Sequence, residues 1–95
     1  MLEYLKDHII EELDGAVEYW SKAFEHKNTE MGCVFKKMAE MELEHANALL
    51  KMFNKADKPK TITDTEYKNM YKEILDAYTE KMSKIKTIEQ MYWNK

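Results

Sequence analysis

The chain has 95 residues, with 18 acids against 15 lysines, no arginine, two glycines and one proline. That length makes one domain, residues 1–95, with a small core, and abundant Ala, Leu, Met, Glu and Lys favour helix over strand. A net charge of −3 without the arginine fork argues against a nucleic-acid partner, and the single cysteine, Cys33, excludes an internal disulfide framework and suits a reducing cytoplasm.

Helix 1 is predicted over Leu2–His26. Leu5, Ile9, Leu13, Ala16, Trp20 and Phe24 form one apolar row at steps of three and four. Glu12 falls on a second row with Ala16, Tyr19 and Ala23, so it points toward a neighbouring helix, while Glu3, Glu11 and Glu25 can stay in water. Gly15 costs roughly 1 kcal/mol against Ala in a helix interior; close approach of a neighbouring backbone would explain it, and a merely tolerated glycine is the alternative. Lys27-Asn28-Thr29 is a turn in which Asn28 or Thr29 can cap helix 2.

Helix 2 continues to about Asn54. Its apolar stripe at Phe35, Met38, Leu49 and Met52 is interrupted by Glu42 and His45. A carboxylate on such a stripe costs several kcal/mol unless it is paired or binds a cation. Three residues apart, Glu42 and His45 share one helix face. The short turn makes helices 1 and 2 antiparallel neighbours. With the turn centred between residues 28 and 29, Glu12 faces His45, and Glu42 lies one turn away. All three sit roughly 25 Å from the turn, at 1.5 Å per residue.

The hairpin 2–54 is followed by a polar linker, 55–63, holding the only proline. Thr63 and Glu66 form a capping box that opens a third helix, 64–93. Tyr67, Tyr71, Ile74, Tyr78, Met82, Ile85, Ile88 and Tyr92 make its stripe, read as an interface. No apolar run is long enough to span a membrane, and MLEYLKDH lacks the apolar region of a signal peptide. A cytoplasmic, all-α protein is expected.

A di-iron carboxylate site in a four-helix bundle takes one Glu from each of two helices and a Glu-x-x-His from each of the other two. Glu12, Glu42 and His45 are half of that set. An identical chain related by a two-fold axis would supply the rest. The expected fold is therefore an antiparallel hairpin with a third long helix, dimerising into a four-helix bundle.

EELDGAVEYW, followed thirty residues after Glu12 by EMELEHANALL, resembles the ferritin-like superfamily, most closely its half-length members: the encapsulated ferritins and short rubrerythrin-like proteins. The resemblance covers about residues 5–53. It implies a ferroxidase centre at a homodimer interface, with Glu12, Glu42 and His45 as the catalytic and metal-binding residues. It also implies iron as cofactor, with Zn or Mn as substitutes, and a ring of dimers as the larger assembly. Glu11 and Asp14 match flanking acids that help metal ions reach the centre, and Tyr19 matches an aromatic position beside it. No C-terminal extension of the kind that targets an encapsulated ferritin follows the third helix, which argues against an encapsulin shell as partner.

Each residue also has a plainer reading. Glu11, Asp14 and His8 suit a solvated face, with His8 as a group behind the ligands or an extra ligand the alternative. His26 and Tyr19 suit structural roles, and Cys33 a small buried site. The eight methionines suit adaptable packing. Two functional classes follow. One is an enzyme that oxidises Fe(II) to Fe(III), or a rubrerythrin-like peroxide reductase, the latter disfavoured because the chain holds no Cys-x-x-Cys. The other is a non-catalytic helical oligomer in which the three polar residues satisfy one another or bind metal without turnover.

Overall fold

The three-and-four spacing of apolar residues produces three helices in the computed structural model, which describes residues 1–94. They are α1 (Leu2–Glu25), α2 (Glu30–Lys55) and α3 (Asp64–Trp93). Helix α1 is central. Its buried stripe of Leu2, Leu5, Ile9, Leu13, Ala16, Trp20 and Ala23 packs on both other helices.

The first turn reverses the chain by two devices. Asn28 adopts φ 67°, in the left-handed region that Asn tolerates better than most residues. Thr29 then caps α2, its Oγ1 accepting from the Gly32 N–H at 3.1 Å. Gly32 is fixed by sterics, because a Cβ there would lie 2.3 Å from the His26 carbonyl oxygen.

The second capping signal forms as expected. Thr63 Oγ1 accepts from the Glu66 N–H at 3.1 Å, and Glu66 Oε1 accepts from the Thr63 N–H at 3.3 Å. The linker brings α3 back parallel to α1. Lys6 pairs with Glu73 at 3.0 Å and Lys81 with Asp14 at 2.9 Å, both 67 positions apart. Helix α3 also touches α2 through side chains: Phe53 stacks on Tyr67, and the Tyr78 hydroxyl donates to Asn47 Oδ1 at 2.9 Å. At its far end Lys27 Nζ donates to the carbonyls of Met91 and Asn94, placing a cation where the helix dipole is negative.

Three expectations are corrected. The stripe of α3 is spent largely within the chain: Ile74, Ile85 and Tyr92 are buried, with Tyr92 edge-on to Trp20. The buried row of α2 is Gly32, Ala39, Ala46 and Phe53, not the stripe from Phe35 to Met52. Small residues seven apart let α1 approach closely there, which rotates Glu42, His45 and Met52 toward the open side. Cys33 is exposed, because that same rotation carries it outward. The result is elongated, 52 × 19 × 15 Å, with a radius of gyration of 15.5 Å against about 12 Å for a compact chain of this length.

Candidate metal centre

Helix α1 contributes Glu12 and α2 contributes Glu42 and His45, all from the helix middles, where the backbone is held by its own hydrogen bonds. The antiparallel register sets them at one height. His45 Nδ1 lies 3.6 Å from Glu12 Oε2, and one ligand atom from each of the three lies within 4.8 Å of the others. The level match read from the turn position is what the structure has.

The electrostatics are those of two carboxylates held close together. Glu12 Oε2 is buried and takes no hydrogen bond, since 3.6 Å is too long for one from His45. Glu42 has its carboxyl raised to about 7. The cause is first the hydrogen bond it makes to Glu12 once protonated, then burial, then the negative charge of Glu12; His45 opposes these. Two carboxylates this close favour sharing either a proton or a cation. Half-exposed His45 borders a surface cleft that Glu12 also lines.

Gly15 makes room for this cluster. It follows Glu12 by three residues on the same face of α1, and a Cβ on it would stand 3.1 Å from Glu42 Oε2. The explanation from a close backbone approach is therefore replaced: the neighbour is a side chain. The sequence held a signal for this, a helix-interior glycine three residues after an inward acid, but not the identity of what fills the space.

The flanking residues go elsewhere. Glu11 Oε2 faces His8 Nδ1 at 3.3 Å. Asp14 is bound to Lys81 of α3 and raises that lysine's pKa by hydrogen bonding to its ammonium. Neither joins the Glu12–Glu42–His45 group. Tyr19 stacks on Phe35 with ring centres 6.2 Å apart, and His26 also stacks on Phe35, at 5.8 Å. His8 was readable only as an ambiguous residue. It lines, with Glu12 and His45, a cleft of about 440 Å³ otherwise walled by apolar groups such as Tyr4, Leu49 and Met52.

The donor set fits a divalent transition metal. Two carboxylates and an imidazole are hard-to-borderline ligands, and the orphaned buried oxygen of Glu12 is the kind of atom a cation satisfies. Fold and donors thus define a class: an all-helical protein with a candidate carboxylate–histidine metal centre. The family model for rubrerythrin matches residues 3–95. The chain belongs to that family as a short, three-helix member of the ferritin-like superfamily, and proteins of the family are typically di-iron. No characterised protein and no solved structure matches the chain significantly. Among the described residues no helix is long and apolar enough to cross a membrane.

Proposed function

We propose that two copies of this chain join through the open face of the α1–α2 hairpin, bind two ferrous ions between them and oxidise them to Fe(III). The observation that carries this reading is the convergence of Glu12, Glu42 and His45, with two carboxylates close enough to need a shared proton or cation. One chain supplies one Glu and one Glu-x-x-His, half of a di-iron set.

The surface around the cluster supports the dimer. Met31, Val34, Met41 and Met52 share the α2 face that carries His45, and each is more than half exposed. Tyr4, on α1, is 61% exposed and lines the same cleft as His45 and Met52. The chain exposes 6637 Å², whereas a compact monomer of 11.4 kDa exposes about 5,800 Å².

Ferrous iron bound there gives up one electron per ion to an oxidant and becomes Fe(III). The chain's own residues do the rest. Glu12 and Glu42 supply negative charge that favours the ferric product, and His45 supplies a neutral donor. Glu42 must release its proton before both oxygens are free to bind, so binding expels a proton near neutral pH. Dioxygen is the proposed oxidant, taking the two electrons and two protons to become hydrogen peroxide. The rubrerythrin match makes hydrogen peroxide the alternative, and the near approach of His45 to Glu12 favours, as a second reading, a metal-binding network without turnover.

The test is ferric absorbance after anaerobic Fe(II) loading and exposure to air or peroxide. Wild type should oxidise iron well above buffer, and Glu12→Ala, Glu42→Ala and His45→Ala should each abolish the rapid phase with helicity retained. Metal-loaded wild type no faster than buffer with either oxidant would leave the network reading in place of the enzyme.

A further inference from the structure

We propose that Gly15 is a positioning residue for Glu42: by having no side chain it leaves open the space on α1 through which the Glu42 carboxylate reaches Glu12. The three atoms that a Cβ at Gly15 would meet first are Glu42 Oε2 at 3.1 Å, Cδ at 3.3 Å and Cγ at 3.6 Å. All belong to one side chain and none to the α2 backbone. Gly32 is the contrast, where the obstructing atoms are backbone of the preceding turn.

Backbone conformation does not require glycine at position 15. Neither glycine has a positive φ, and position 15 lies well inside α1, where Ala is the better helix former. Helix packing does not require it either, since none of the three atoms nearest such a Cβ is α2 backbone. What remains is the carboxylate. An alanine at 15 would force the end of Glu42 to give way by a few tenths of an ångström and so change its spacing from Glu12. Because that end is flexible, the fold can absorb the change while the spacing of the acidic pair cannot. The consequence for metal rests on the reading above; the steric relation between Gly15 and Glu42 does not.

Two measurements on the full chain test it. The first is a thermal double-mutant cycle without metal, at one protein concentration, using Gly15→Ala in wild-type and Glu42→Ala backgrounds. Alanine should raise the melting temperature clearly more where Glu42 is absent. The second is Co(II) affinity by competition titration, where Gly15→Ala should bind about tenfold more weakly than wild type, with helicity unchanged. Equal effects of Gly15→Ala in both backgrounds, including unfolding in both, would show that the space serves the backbone and would overturn the proposal, as would coupling in the cycle with unaltered Co(II) affinity. A wild type that binds no Co(II), with coupling in the cycle intact, would sink the metal reading alone and leave the Gly15–Glu42 relation standing.

Discussion

Glu42→Gln in the metal-free protein isolates the electrostatics of the cluster. In the unfolded chain this carboxyl ionises near 4.5, and in the folded chain near 7, chiefly through its hydrogen bond to Glu12. Between those values the folded state keeps a proton that the unfolded state has lost, so stability falls as pH rises across the window and the full penalty stands above about 7. A rise of that size corresponds to at most about 3.4 kcal/mol. The site is partly solvated, and screening reduces this to about 1–2 kcal/mol. Glutamine cannot ionise, and its amide can donate to the orphaned Glu12 Oε2. At pH 8 the variant should therefore melt roughly 5–10 °C above wild type. At pH 5 wild-type Glu42 is already protonated and the two should agree closely. Circular dichroism melts in chelator, at one protein concentration, measure both. The same difference at pH 5 and pH 8 would refute the reasoning, because it would place the effect outside the titration of Glu42.

Three further outcomes follow from particular contacts. Adding Fe(II), Zn(II) or Mn(II) should raise the melting temperature of wild type relative to chelator by mass action, and the rise should shrink in Glu42→Ala; an identical response in both would assign it to surface sites. Gly32→Ala should lose more than about 2 kcal/mol in urea unfolding, since its Cβ would meet backbone at 2.3 Å, and a change within ~0.5 kcal/mol would contradict that geometry. Lys81→Ala should leave Co(II) affinity within about twofold, because Asp14 is held by Lys81 apart from the cluster; a large loss would bring Asp14 into the site.

The hairpin and the level of its polar residues were readable in the sequence because both depend on local rules. Helical periodicity, the Thr29 cap and a short turn fix the register, and register alone sets Glu12 opposite His45. Which face of α2 is buried was not readable. Ala39 and Ala46 compete with Phe35, Met38, Leu49 and Met52 for the contact with α1, and close approach rewards the smaller residues. The tertiary partners of α3 were likewise hidden. Nothing local in its stripe says that it runs parallel to α1, or that Lys81 finds Asp14. The use of Gly15 depends on where one side chain of another helix ends, which spacing along the chain does not encode.

The central claim is that one chain carries half of a two-ion site. Native mass spectrometry under anaerobic Fe(II), with sedimentation under the same conditions, tests it most directly. The expected species has twice 11.4 kDa and carries two iron ions, with Glu12→Ala, Glu42→Ala and His45→Ala each losing bound iron. A compact monomer that binds iron stoichiometrically through the same three residues, or a dimer whose iron content is indifferent to them, would contradict it.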